Sequence, residues 1–262
     1  MPKSERQNIL LLGDSLTQLC FGGSEGWGRG LANRYQRRAD VLNRGMSGYS
    51  TRWYLKYAQT NGIWNEAGKV VLVTIWFGAN DAATLEQHVP LSEYQTNLET
   101  IVDQAKESYP DAKVLLVTPP PVALEQRSEY LKKQFGDKAS EKAERSSEVT
   151  GKYAAVCLDV AATKKIPCLD IFAGMTTAEG NSDKDDVSRF FWDGLHFSET
   201  GHTFVSEALE KAIHTHFPTL EVRPCSITGQ FNNSGSACDD LVTSGPYHDQ
   251  IKSKKTWQEA FD

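Results

Sequence analysis

The 262-residue chain is long enough to bury a full core, and 39% hydrophobic with 24% charged residues is an ordinary globular balance. Its formal net charge of −6 repels phosphate backbones and anionic bilayers, which argues against nucleic acid or a membrane surface as partner. The longest apolar run, Val70 to Phe77, is too short to span a bilayer, and the opening Met-Pro-Lys-Ser-Glu-Arg-Gln-Asn lacks the layout of a secretory signal.

The first expected strand, Asn8–Leu12, ends in Gly13-Asp14-Ser15-Leu16. A serine directly after a strand and a glycine sits on a sharp turn, with its hydroxyl and N–H facing the space beyond the sheet's carboxyl edge. An Asp/Ser turn is also common at strand ends, so this motif alone does not decide. The second strand, Asp40–Asn43, leads into Arg44-Gly45-Met46-Ser47-Gly48-Tyr49-Ser50, where glycines let the backbone approach a ligand closely. The third, Val70–Phe77, ends in Gly78-Ala79-Asn80-Asp81. There Asn80 can present an amide donor, and Asp81 reads as an acceptor that fixes the loop.

Tyr94, Leu98, Ile101 and Ala105 repeat at helical spacing before the fourth strand, Lys113–Thr118. Lys132 to Glu148 is charged and reads as a solvated insertion. Val149, Tyr153, Val156 and Val160 mark a further helix before the fifth strand, Ile166–Ile171. Trp192-Asp193-Gly194-Leu195-His196-Phe197 follows. An Asp and a His three apart on a helical turn lie close enough for the carboxylate to bind one ring nitrogen and leave the other outward. Phe204, Val205, Ala208, Leu209, Ala212 and Ile213 form the stripe of a last helix, capped by Ser198. Pro224 to Pro246 is rich in Gly, Ser and Asn and reads as flexible, and Trp257 and Phe261 suit a short helix docking on the core.

Alternating strands and helices imply an α/β fold: a parallel sheet with right-handed crossovers and helices on both faces. Ligands then sit at the carboxyl ends of the strands. Ser15, Gly48, Asn80 and the Asp193/His196 pair all fall on segments expected at that edge. A nucleophile, an oriented base and anion-stabilising donors on one rim are what nucleophilic acyl transfer requires.

Gly-Asp-Ser-Leu near the start, Gly48, Gly-Ala-Asn-Asp and Asp-Gly-Leu-His resemble the four signature blocks of the GDSL or SGNH hydrolase superfamily. Gly48-Tyr49-Ser50-Thr51-Arg52-Trp53 and the late Trp257 resemble its isoamyl-acetate-hydrolysing esterase branch. The resemblance covers roughly residues 8 to 216. It implies a three-layer α/β/α sandwich, flavodoxin-like, with a five-stranded parallel sheet. It implies Ser15 as nucleophile, His196 as base and Asp193 as its partner. The Ser15 N–H, Gly48 N–H and Asn80 side chain would form the oxyanion hole. It implies hydrolysis of small, acetate-like esters without metal or organic cofactor. An acyltransferase, a carbohydrate deacetylase or a thioesterase would use the same site, and a non-catalytic flavodoxin-like binder would need none of these side chains. The expected hydrolase domain is 1–220, with 221–262 as an extension. The charged and Gly/Ser/Asn-rich segments leave oligomeric state open, a homodimer included.

Other local matches fail on context. Gly22-Gly23-Ser24-Glu25-Gly26 fits G-x-S-x-G but follows no strand, and Gly62 to Lys69 has the wrong glycine spacing for a P-loop. His214 and His216 are too poorly spaced for a metal pair, and His202 reads as a surface residue of the last helix. Trp27, Trp53 and Trp76 read as core. Cys20 has no adjacent base. Five scattered cysteines (Cys20, Cys157, Cys168, Cys225, Cys238) without a Cys-x-x-Cys pair point to reduced thiols in the cytoplasm, where the sequon Asn232-Asn233-Ser234 is silent.

Overall fold

A computed structural model of the chain describes residues 7–65, 68–142, 144–178 and 186–222. The Pro224–Pro246 segment and the Trp257/Phe261 helix lie outside the described residues. The elements run β1 (Gln7–Gly13), α1 (Ser15–Gln18), α2 (Trp27–Arg34), β2 (Asp40–Gly45), α3 (Thr51–Asn61), β3 (Lys69–Trp76), α4 (Leu91–Ser108) and β4 (Lys113–Val117). They continue with α5 (Leu124–Phe135), α6 (Ser147–Lys164), β5 (Cys168–Leu169), α7 (Ile171–Thr176) and α8 (Glu199–His216), with short 3-10 turns between several of them.

The five strands form one sheet in the order β2-β1-β3-β4-β5, and every pairing is parallel. β1 is apolar from Ile9 to Leu12 because it lies in the interior of the sheet and is covered on both faces. Ile9 and Leu11 pack toward Leu31 of α2, Met175 of α7 and Val205 and Leu209 of α8. Leu10 and Leu12 face the other way, toward Tyr54 of α3, Leu98 and Ile101 of α4, and Tyr153 and Val160 of α6. This is the α/β/α sandwich that the strand–helix alternation and the resemblance implied.

From β1 the chain crosses to β2 on one side, then returns to place β3 on the other. That reversal opens a crevice beyond the carboxyl ends of β1 and β3, where doubly wound sheets bind ligands.

Two expectations need correction, and a third gains detail. The fifth strand is only Cys168–Leu169, because the Asp170 carboxylate accepts the Ala173 N–H at 3.0 Å and caps α7 at once. The stretch Lys132–Glu148 is largely solvent-exposed, as its charge implies, but it is ordered and buries Arg145. It begins in the last turn of α5, passes through a 3-10 turn at Gly136–Glu141, and then pairs with the loop after β3. Thr84 N–H donates to Glu144 O at 3.0 Å, and Glu144 N–H donates to Thr84 Oγ1 at 2.8 Å. Asp193 and His196 do not share a helical turn but lie in a bend closed by an antiparallel bridge between Phe191 and Phe197. Ser198 caps α8 as expected, accepting the Gly201 N–H at 3.2 Å. Beyond α8 the chain stays on the core through Val222, with the Tyr35 hydroxyl donating to Leu220 O at 2.7 Å.

Candidate active site

β1 leaves the sheet at Gly13, and the Asp14 side chain accepts the Leu16 N–H at 2.9 Å, which starts α1 at Ser15. A four-residue helix has no stability of its own. It is held by its neighbours: the Trp27 indole N–H donates to Leu16 O at 3.0 Å, and the Asn43 amide donates to Thr17 O and Gln18 O at 3.1 and 3.0 Å. Burial pushes the Asp14 carboxyl up to about 7; the Leu16 N–H works against that and nearby Asp81 adds to it.

The loop after β3 carries Asn80, which is 3% exposed. Its Nδ2 donates to Tyr49 O at 3.0 Å. Its Oδ1 accepts from Gln87 Nε2 at 3.2 Å and from Arg145 Nη2 at 2.8 Å. Donors on one end and a carbonyl on the other fix the amide's orientation. Asp81 accepts the backbone N–H of Thr51 at 2.9 Å and its hydroxyl as well, so it anchors the start of α3, the loop-fixing role read from its position. Burial raises Asp81 to about 6, against the Thr51 hydrogen bonds. Gly48 has φ +81°, a conformation that a side chain disfavours, and its carbonyl accepts from Gln87 Nε2 at 2.9 Å.

The bend 191–197 brings the remaining groups. Asp193 Oδ1 accepts the Leu195 and His196 N–H groups at 3.0 and 2.7 Å, so this carboxylate shapes its own loop as an Asx turn. Asp193 Oδ2 meets His196 Nδ1 at 2.9 Å, and His196 Nε2 lies 3.1 Å from Ser15 Oγ. Burial alone would raise Asp193, but hydrogen bonds from the His196 ring and backbone, with the charge of His196 and the Leu195 N–H, outweigh it and hold the group at about 2. Trp192 stacks on the His196 ring at 5.9 Å, and Phe197 packs on Trp76 at 5.6 Å, which ties the end of the bend to the core.

Ser15 and His196 line two adjoining cavities. One, about 480 Å³, is largely apolar, with Leu16, Leu19, Trp192 and Phe197 along its walls. The other, about 430 Å³, holds Gly48 and Asn80 together with Gln87, Arg127, Lys142 and Arg145. Ser15, Gly48, Asn80 and His196 therefore border one crevice, with Asp193 buried behind the imidazole.

A model of the GDSL-like lipase/acylhydrolase family matches residues 11–204. The chain belongs to that family. Among curated relatives of this hydrolase, an Arabidopsis thaliana GDSL esterase/lipase is 35% identical over 84% of this chain and 90% of its own. The isoamyl acetate-hydrolysing esterase 1 homologue of Homo sapiens is 40% identical over 75% of this chain and 77% of its own, which sets the hydrolase in the branch that the motifs resemble. Among solved structures, the lipase/acylhydrolase from Enterococcus faecalis shares the fold, with a TM-score of 0.60 at 24% identity, covering 80% of this chain and 96% of its own. Family and relatives make the protein a carboxylic ester hydrolase.

Two readings of single residues change. His202 is half-buried rather than a surface group: it lines the apolar cavity edge-on to Phe197, and burial pulls its ring pKa down. Trp27 and Trp76 are core, whereas Trp53 is 36% exposed and lines the Asn80 cavity. Three further residues of the site carry no signal in the sequence. Arg127 donates to Asp193 Oδ2 at 2.6 Å, and Arg145 and Gln87 brace Asn80. None belongs to a motif, and Arg145 is disguised by the charged stretch around it. Among the described residues no cluster of His, Cys, Asp and Glu suits a metal ion, and no helix is long and apolar enough to cross a membrane.

Proposed function

We propose that the hydrolase cleaves small, acetate-like carboxylic esters through a Ser15–His196–Asp193 triad and an acyl-enzyme. Ser15 Oγ attacks the ester carbonyl carbon while His196 Nε2 takes its proton. The tetrahedral oxyanion is bound by the Ser15 N–H, the Gly48 N–H and the second Nδ2 hydrogen of Asn80. The C–O bond to the alcohol breaks as His196 returns the proton to the departing oxygen. Water then repeats both steps on the acyl-serine and releases the acid, so ester and water become acid and alcohol.

What carries this reading is the unbroken relay from Asp193 Oδ2 to His196 Nδ1 at 2.9 Å and from His196 Nε2 to Ser15 Oγ at 3.1 Å. The apolar cavity at Ser15 supports an ester with a hydrocarbon part, and the isoamyl acetate-hydrolysing activity for which the human relative is named supports an acetate. A catalytic unit over 1–220 with an extension over 221–262, working in the cytoplasm, completes the reading. Free Cys20, Cys157 and Cys168 support that compartment.

The test is hydrolysis of p-nitrophenyl esters of increasing acyl length by the native chain and by Ser15→Ala. Native turnover that is highest on the shortest esters and abolished in a folded Ser15→Ala supports the proposal. Near-native turnover by Ser15→Ala refutes it.

A further inference from the structure

Arg145 reaches the site from the segment between α5 and α6, and its side chain is buried, an environment a guanidinium accepts only when its donors are met. Nε donates to Ala79 O at 3.0 Å, and Nη2 donates to Asn80 Oδ1 at 2.8 Å and Gln87 Oε1 at 2.9 Å. Gln87 in turn spends its amide hydrogens on Gly48 O at 2.9 Å and Asn80 Oδ1 at 3.2 Å. One guanidinium thus organises the two loops that carry Asn80 and Gly48. The loop delivering it is tied to Thr84 through the backbone of Glu144, independently of the arginine side chain.

We infer that Arg145 is a positioning residue for ester cleavage, acting through Asn80. It holds and polarises the Asn80 amide so that one N–H is presented to the oxyanion, and through Gln87 it steadies the Gly48 loop. The inference rests on the oxyanion-hole assignment made above. An unrestrained Asn amide can turn over and offer its carbonyl oxygen to the oxyanion, which repels it. Two donors on Oδ1 remove that alternative. A charged donor on Oδ1 also draws electron density from the amide nitrogen, so the N–H opposite becomes a stronger donor. Tyr49 O takes one Nδ2 hydrogen and leaves the second for the substrate. Preorganised donors of this kind act where charge develops in the transition state, so their loss is felt in turnover more than in binding.

The test is a double-mutant cycle on p-nitrophenyl acetate with Arg145→Met, Asn80→Ala and the pair, and with Arg145→Lys as the charge-keeping control. We expect Arg145→Met to lower kcat by about 10- to 100-fold with KM moved less than about threefold. Arg145→Lys should recover part of the loss. On the Asn80→Ala background, Arg145→Met should cost less than about threefold more, because the residue it acts through is gone. If Arg145→Met does not fold, Arg145→Lys and Gln87→Met carry the same cycle. Equal Arg145 losses with and without the Asn80 amide would overturn the positioning role while leaving the oxyanion-hole reading intact. Undiminished kcat in Asn80→Ala would sink that reading itself, and the inference with it. A change confined to KM would also overturn the inference.

Discussion

At the scale of single residues, two of the site's buried carboxylates, Asp14 and Asp193, have opposite habits. Asp14 takes one hydrogen bond from Leu16 N–H and is raised by burial, whereas Asp193 receives two backbone N–H groups, an imidazole and a guanidinium and is held low. Their effects on stability therefore run in opposite directions with pH. Asp14 titrates at about 7 in the fold against the usual 3.8, so the folded chain binds the extra proton and stability falls as pH rises from about 4 to about 7. Asp193 titrates at about 2, so its contribution is present above pH 4 and lost as pH falls toward 2. Urea denaturation across this range should show a stability loss between pH 4 and 7 that is reduced in Asp14→Asn, which keeps an oxygen for the Leu16 N–H. An unchanged slope in that variant would contradict the assignment. Asp193→Asn should keep the fold near neutral pH yet lower kcat by about 10²–10⁴, because the amide no longer enforces the right imidazole tautomer.

At the scale of elements, the groups proposed for catalysis are placed by strand ends and short loops rather than by long helices. Gly194 shows how tight those loops are. It has φ +81°, its carbonyl accepts the Ala123 N–H at 3.0 Å, and an added Cβ would lie 2.5 Å from Arg127 N and 2.6 Å from Ala123 O. Gly194→Ala is expected to cost about 1–3 kcal/mol in thermal or urea unfolding and to lower kcat by displacing His196. Unchanged kcat with unchanged stability would show that the bend tolerates what its geometry forbids.

The same scale explains what could be read in advance. Continuous apolar runs disclosed the buried strands, and α4, α6 and α8 were legible because one face of each is apolar over several turns. Of α3 only Thr51, Tyr54 and Ala58 are buried, and of α5 only Leu131, so neither leaves an apolar stripe for a periodicity argument to find. The Asp193–His196 spacing suggested contact correctly but for the wrong backbone, since an Asx turn brings residues three apart together as well as a helix does. Ser15, Asn80 and His196 were legible because motif chemistry is local. Arg127 and Arg145 were not, because their partners lie 66 and 65 residues away and charge alone does not reveal burial.

At the scale of the molecule, the reversal of strand order between β1 and β3 creates the crevice, and the two cavities divide it. The apolar one meets Ser15 through Leu16, Leu19, Trp192 and Phe197. Placing a carboxylate there should therefore penalise hydrocarbon more than acetate. Leu19→Asp is predicted to lower the ratio of kcat/KM for butanoate over acetate esters by about tenfold, the scale of one or two methylenes in an apolar pocket. A ratio that stays constant would move the hydrocarbon part of the substrate to the other cavity.

The proposed chemistry depends on the hydroxyl of Ser15 being the group that His196 activates. Its most direct test is to treat the native chain, Ser15→Ala and His196→Ala with a fluorophosphonate and locate the adduct by peptide mass spectrometry. A single adduct on Ser15 in the native chain, none in Ser15→Ala, and labelling slowed by orders of magnitude in His196→Ala is the predicted result. An adduct on another residue such as Ser24 or Ser47, or labelling of Ser15 at full rate without His196, would contradict it.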